Sequence, residues 1–350
     1  PVALVNGEER FDARQVAHYL RATARGNNPE AGDDLAAHVR LAAVTTLDES
    51  IAFDGLTALL CLSAATGEPL GELDAAALPA LAAEIDPADD LLVRELEALG
   101  GELHTLAAHA DALADAAYSP RAAFEGVLRR HLARCLAGHA ATALQPAAVA
   151  LVGVVARSLA AHAAMAAPLF VDVSDGGGDL LLEVARGYAA DAAPSLATLA
   201  LDSPVARLAR RRLRVHDLHR LDVLPDGEDS FVLPAGGTDL VHVLQLPCAG
   251  RPSMTDLQVL EAVDELVLGM DDSHRAVVLG PTSALADRPA TTAVDRARDA
   301  ILRTDRLRFV GRLPQGLLVR APRQSLTRWV LGPAHPQVPR ADRWTAVADL

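Results

Sequence analysis

The chain has 350 residues, a length that suits two domains, and 51% of them are hydrophobic although only 3% are aromatic. The apolar excess is alanine and leucine, which predicts an aliphatic, helix-rich core. The net charge is −14 and no lysine is present, so the chain lacks the clustered positive charge that a strong non-specific grip on nucleic acid requires.

The three cysteines, Cys61, Cys135 and Cys248, are far apart and have no zinc-ligand spacing. Reduced thiols are therefore expected, as in a cytoplasmic protein. No run of about 18 uncharged apolar residues predicts a membrane span. No signal-peptide pattern follows Pro1, and a first residue other than Met suggests a start inside a longer protein. The sequence predicts a cytoplasmic protein without a membrane partner.

Residues 1–32 predict a short extended piece and then a helix, because apolar residues from Val16 to Leu20 recur at helical spacing. Asp12 suits the N-cap, and residues 26–29 (GNNP) end the helix. The segment resembles the tail of a helix-turn-helix module, in which a short β-wing precedes the last helix. An ordinary strand and helix explain the same pattern equally well.

Residues 33–142 predict an all-helical domain, since apolar positions recur every three or four residues. Its breaks fall at the turn residues around Pro69, Pro87 and Pro120. His104 and His109 are interpreted as surface or packing residues. No catalytic pattern is visible in this segment.

Residues 143–350 predict an α/β domain with a mixed, largely parallel sheet. Apolar strand patterns start at residue 168 and alternate with helical stretches, notably residues 256–268 and 291–304. The apolar stretch that precedes the first strand, residues 147–170, is interrupted by Arg157 and His162 and is interpreted as a buried helix.

Three elements in order suggest a nucleotide-like ligand. A strand delivers Asp172, and Gly176 to Gly178 form a tight turn into a helix, where backbone can approach a ligand. The next strand ends in Asp202, whose carboxylate can accept hydrogen bonds from both ribose hydroxyls. A further acidic pair, Glu228 and Asp229, follows one unit later. Each residue alone is typical of a solvated loop, so the prediction depends on their order.

Residues 118–332 resemble the N-6 adenine DNA methylase family, which includes the modification subunits of type I restriction systems. The family reads DPACGSGGLLL at the turn that binds S-adenosylmethionine (SAM), and residues 172–182 read DVSDGGGDLLL. The resemblance implies a Rossmann-like class I SAM-methyltransferase sheet preceded by an all-helical domain. It also implies SAM as the cofactor. The implied cofactor contacts are Asp172, Gly176, Gly178, Asp202 and Asp229.

The catalytic motif departs from the family pattern. The family carries Asn-Pro-Pro followed by Tyr or Phe, in which the Asn side chain and a Pro carbonyl accept hydrogens of the target amine and the aromatic ring stacks on the flipped base. Here the positions read Gln245-Leu246-Pro247-Cys248. The longer Gln side chain misplaces the amide, and an error of about 1 Å can cost about 10²-fold in rate. Cys248 cannot stack on a base.

Two functions are compatible with this pattern. The first is a catalytically impaired methylase homologue that serves as a DNA- or protein-binding module in a defence or regulatory system. The second is an active SAM-dependent DNA adenine methyltransferase with a divergent motif. DNA, a protein partner and a second copy of the chain are the candidate partners.

An arginine run follows Asp202, at positions 207, 210, 211, 212 and 214. It is interpreted as a solvated helix face or, alternatively, as a surface for DNA phosphates or an acidic partner.

Overall fold

The chain consists of two compact units, Pro1–His131 and Leu132–Leu350, which divide before the predicted boundary at residue 142. A computed structural model describes residues 3–5, 8–10, 13–23, 46–74, 76–134, 139–189, 194–225, 231–232 and 239–350.

The first unit begins with a hairpin and a helix. Strands β1 (Ala3–Val5) and β2 (Glu8–Arg10) pair antiparallel, and helix α1 (Ala13–Thr23) follows. The extended piece predicted from the sequence is therefore a two-stranded ribbon. Asp12 and residues 26–29 lie outside the described residues, so their predicted roles stay predictions.

The rest of the first unit is helical in its described part. The helices are α2 (Glu49–Thr66), α3 (Ala77–Ile85), α4 (Val93–Glu97), α5 (Leu103–Ala116) and α6 (Pro120–Arg134). Helix α2 packs against α4 and α5 and supplies much of the core. It is the one described helix long and apolar enough to cross a membrane, but most of it is buried inside this unit, as in the core helix of a globular domain.

The second unit is built on one sheet. Its strands are β3 (Leu169–Asp172), β4 (Ser195–Leu199), β5 (Arg220–Pro225), β6 (Phe231–Val232), β7 (Leu240–Gln245), β8 (Arg275–Pro281), β9 (Leu307–Arg312), β10 (Leu326–Leu331) and β11 (Ala346–Asp349). The order across the sheet is β11-β9-β10-β8-β7-β3-β4-β5-β6. Strands β3, β4, β5, β7 and β8 are parallel, and β10 is antiparallel to both its neighbours. The predicted mixed, largely parallel sheet is confirmed.

Helices cover both faces of this sheet. They are α7 (His139–Thr142), α8 (Pro146–His162), α9 (Asp179–Arg186), α10 (Pro204–Val215), α11 (Asp256–Gly269), α12 (Thr282–Leu285) and α13 (Thr292–Arg303). One apolar core joins α8 and α9 to the sheet, and a second core on the other face joins α11 and α13 to it.

The chain order fixes where a ligand can lie. From β3 the chain proceeds outward through β4 and β5, and it then returns to add β7 and β8 on the other side of β3. The strand order therefore reverses between β3 and β7. In open α/β sheets, ligands bind outside the carboxyl ends of the strands at such a switch point.

Candidate functional site

The turn after β3 places glycine backbone at this switch point. All four residues of β3 are buried, as expected for an apolar strand inside a parallel sheet. Gly178 has a φ of +77° directly before α9, a conformation that residues with a side chain rarely adopt. The prediction that the glycine turn lies at the carboxyl end of the first strand of the sheet is confirmed.

Asp172, the last residue of β3, is a buried acid that faces the turn. Its Oδ1 accepts hydrogen bonds from the backbone N–H (2.9 Å) and the hydroxyl (2.6 Å) of Ser174. Burial raises the pKa of Asp172 to about 6 although both hydrogen bonds from Ser174 lower it, and the charge of Asp175 adds to the rise. A Cβ at position 176 would lie 2.6 Å from Asp172 Oδ2, so only glycine fits there.

The opposite wall comes from the end of β7 and the loop that follows. Gln245 Nε2 donates a 2.6 Å hydrogen bond to the carbonyl of Thr142, which lies on the other side of the cleft. Cys248 is buried, and burial raises the pKa of its thiol. The backbone carbonyl of Thr142 thus holds the amide nitrogen of Gln245, and the amide oxygen is the atom that the family resemblance assigns to the target base.

These elements enclose a cleft of about 330 Å³. Its floor is the turn from Asp172 to Leu180, one wall holds Gln245, Cys248 and Ala249, and the other wall holds Thr142 and Ala143. This space includes open solvent at the mouth of the cleft, and the volume enclosed by the walls is far smaller, about 20 Å³. Asp172, Gly176, Gly178, Gln245 and Cys248 are therefore brought together, as their assignment to one site requires.

The arginine run after Asp202 is not a solvated face, and the interpretation as a surface open to DNA phosphates is also wrong. Arg207, Arg210, Arg211 and Arg212 are all buried on α10. Arg212 forms an ion pair with Asp179 and also donates to the carbonyl of Gly177 at 3.4 Å. Arg207 lies near Asp202, Arg210 donates to the carbonyl of Leu201 and Arg212 pairs with Asp179, so adjacent loops bind these three buried guanidinium groups. Arg214, the last of the run, is only partly buried.

Asp202 lies beside the cleft but does not line it. Its side chain is 65% exposed, and its Oδ1 lies 3.8 Å from Nη1 of the buried Arg207. Asp229 lies outside the described residues, so its assignment as a cofactor contact stays a prediction. Pro247 belongs to the same loop as Cys248 but is not a lining residue.

Sequence reasoning missed three contributions to the site. Thr142 and Ala143 line the cleft from a distant part of the chain, and no local pattern identifies such residues. Ser203 caps α10 by accepting a hydrogen bond from the Ala206 N–H at 2.9 Å, with Pro204 at the first helical position. This Ser-Pro pair is a helix-start pattern that could have been recognised.

Two solved structures have similar folds. A protein from Listeria monocytogenes, described as a class I SAM-dependent methyltransferase, is 12% identical with a TM-score of 0.51, over 85% of this chain and 93% of that chain. The methyltransferase subunit of a type I restriction-modification system from Streptococcus thermophilus is 16% identical with a TM-score of 0.55, over 92% and 73% of the two chains. No protein-family model and no curated protein matches the sequence. The second unit therefore has the class I SAM-methyltransferase fold.

Proposed function

We propose that this chain is an N-6 adenine DNA methylase-like protein that binds SAM in the cleft, has lost efficient methyl transfer, and acts as a DNA- or protein-binding module in a defence or regulatory system. The observation that carries the proposal is the contrast within one cleft. The cofactor side keeps a glycine turn against a buried acid, whereas the catalytic side holds Gln245 on a backbone carbonyl and Cys248 in place of an aromatic residue.

The residues of the cofactor side fit SAM. Gly176 and Gly178 expose backbone where a side chain would intrude on Asp172 or require a strained φ, so the amino-acid part of SAM can approach closely. Ionised Asp172 would attract the positively charged ammonium and sulfonium groups. Asp202, on the loop after β4 beside the cleft, is our candidate for the ribose hydroxyls, and its side chain would have to turn away from Arg207 to reach them. SAM supplies the methyl group when bound.

The catalytic side supports an impaired reaction. An enzyme that methylates a flipped base must stack the base and accept hydrogens from its exocyclic amine. Stacking on an aromatic side chain is worth about 1–3 kcal/mol per base, and Cys248 provides none. Gln245 Nε2 donates to Thr142 O, which fixes its side chain toward the wall of the cleft.

Charge argues that DNA contact, if it belongs to the function, needs help from a partner. The net charge is −14, and α10 holds four of its arginines buried against the protein's own loops. The hairpin and the helix within residues 3–23 match the wing-and-helix pattern and are a candidate DNA contact. A protein partner of opposite charge suits the net negative charge better than a second copy of the chain, which carries the same charge.

Calorimetry with SAM and transfer of a labelled methyl group to adenine-containing DNA test the proposal together. We expect binding that Asp172→Ala and Asp202→Ala weaken, with no transfer above background. Asp299→Ala is the matched control, because Asp299 is a half-exposed acid paired with Arg303 on α13. Robust adenine methylation that Gln245→Ala abolishes would establish an active enzyme with a divergent motif instead. Tight binding unaffected by the changes at Asp172 and Asp202 would place SAM elsewhere.

A further inference from the structure

Asp175 joins three loops at the carboxyl edge of the sheet. Its own loop follows β3. Its Oδ1 accepts a 2.7 Å hydrogen bond from the hydroxyl of Ser203, which lies in the loop after β4. Its backbone carbonyl accepts a 2.8 Å hydrogen bond from the N–H of Gly250, which lies in the loop after β7. One residue therefore contacts both neighbours of β3 at the edge where the cleft opens.

The side chain of Asp175 also packs closely on Gly250. A Cβ at position 250 would lie 1.9 Å from Asp175 Oδ2, so the carboxylate packs directly on the glycine backbone. The loop that carries Cys248 and Ala249 can approach the glycine turn this closely because position 250 has no side chain.

The hydrogen bond between Ser203 and Asp175 also links the glycine turn to α10. Ser203 Oγ donates to Asp175 and accepts from the Ala206 N–H, so the same hydroxyl that caps the helix also holds the turn. Arg210, on the first turns of α10, lowers the pKa of Asp175 against the rise that burial causes. The net effect of burial, the Ser203 hydrogen bond and the charge of Arg210 is a raised pKa for Asp175.

We propose that Asp175 is a positioning residue that sets the separation between the floor of the cleft, the glycine turn, and one of its walls, residues 248–249, and thereby preorganises the site for SAM. Asp175 does not line the cleft, so it acts through Ser203 and Gly250 rather than by touching the ligand. In the resembling family a cysteine occupies this position of the turn, and a cysteine would keep the backbone bond from Gly250 but has no carboxylate to accept from Ser203. The proposal rests on SAM binding as the proposed function.

Three substitutions separate positioning from general stability. Asp175→Asn keeps the shape and an oxygen that can accept from Ser203. Asp175→Ala removes the hydrogen bond from the Ser203 hydroxyl. Ser203→Ala removes the same hydrogen bond together with the N-cap of α10. Thr291→Ala is the matched control, because Thr291 caps α13 through the Val294 N–H and is remote from the cleft.

Two measurements on the full chain are needed, SAM affinity by calorimetry and hydrogen exchange without ligand. We expect Asp175→Ala and Ser203→Ala each to weaken SAM affinity about tenfold, the factor that one lost hydrogen bond of ordinary strength sets. Both should also accelerate exchange in residues 174–180 and 248–252. The double variant should be no weaker than Asp175→Ala alone, and Asp175→Asn should bind within about threefold of the unchanged protein.

The outcomes distinguish the two proposals. Unchanged affinity and exchange in Asp175→Ala, or equal effects from Thr291→Ala, would overturn the positioning role. If the unchanged protein binds no SAM, the proposed function fails. The exchange rates of residues 248–252 in Asp175→Ala and Thr291→Ala then decide alone whether Asp175 holds this loop in place. A binding loss in Asp175→Asn as large as in Asp175→Ala would assign the effect to charge and overturn positioning by shape.

Discussion

Replacing Asp172 by asparagine should stabilise the second unit at neutral pH and weaken the SAM binding that we propose. The carboxyl is buried at the end of β3, and burial raises its pKa from 3.8 to about 6. A folded-state pKa above the unfolded value means that the carboxyl stabilises the fold when protonated. This stabilisation is fully present below about pH 3.8 and is lost as the pH rises through about 6.

The size of the effect follows from the shift. About two pKa units correspond to about 3 kcal/mol at pH 7.5, because each unit is worth about 1.4 kcal/mol. Asparagine is neutral at every pH and keeps the oxygen that accepts both hydrogen bonds from Ser174. The variant should therefore exceed the unchanged protein by about 3 kcal/mol at pH 7.5 and by close to zero at pH 4.

Urea unfolding followed by tryptophan fluorescence measures this difference in unfolding free energy for the second unit. Both tryptophans, Trp329 and Trp344, lie in the second unit. Other groups that titrate, such as His242, contribute equally to both proteins and cancel in the difference. Asp299→Asn is the control, since Asp299 and its partner Arg303 are both mostly exposed and their pairing contributes little to stability. A difference for Asp172→Asn that is absent at pH 7.5, or constant from pH 4 to pH 7.5, would refute the reasoning.

Two further substitutions test buried charges elsewhere in the same unit. Burial and the neighbouring His274 lower the pKa of His242 to about 3, so its neutral form stabilises the fold above about pH 6.5 and this is lost as the pH falls. His242→Phe, which keeps a ring against His274, should reduce the loss of unfolding free energy between pH 8 and pH 5 by about 2 kcal/mol, and an unchanged acid profile would contradict this. Arg328 is buried over the ring of Phe309, and its Nε has no hydrogen-bond partner in the described part of the chain. Arg328→Met should therefore raise the unfolding free energy by about 1 kcal/mol in urea titrations, whereas a decrease would indicate a partner for the charge.

The sheet and the glycine turn could be predicted because their information is local. A strand of three apolar residues and an acid, a run of three glycines and a helix that begins with three buried leucines determine the backbone path from Leu169 to Arg186 within eighteen positions. The later strands, such as β8 and β10, are apolar runs bounded by turn residues, and the structure confirms them. Strand β11 was not predicted, because its alternating small and exposed residues give little apolar contrast.

The chemistry around the turn could not be predicted because it depends on contacts between distant positions. The arginines of α10 look like a solvated basic face until the acids that surround them are placed in space. Likewise, Gln245 resembles a displaced catalytic amide in the sequence, but its partner is a carbonyl 103 positions earlier in the chain. Charge and hydrogen-bond pairing across such separations is set by the sheet order, which the sequence does not display directly.

The pairing of the added acids argues that the cleft is a maintained site with altered chemistry rather than a decayed one. Relative to the family pattern, the turn has gained Asp175 and Asp179, two acids close to a buried carboxyl, and unpaired charges there would be strongly destabilising. Asp179 has Arg212 as a partner, and Asp175 has Ser203 with Arg210 nearby. Only Asp172 is left to face the cleft with a raised pKa, and perturbed carboxyls in clefts are typical of functional sites. None of the described residues that line the cleft is aromatic, and a backbone carbonyl holds the Gln245 amide nitrogen, which supports the proposal that the cleft holds a cationic ligand and does not present a base for methylation.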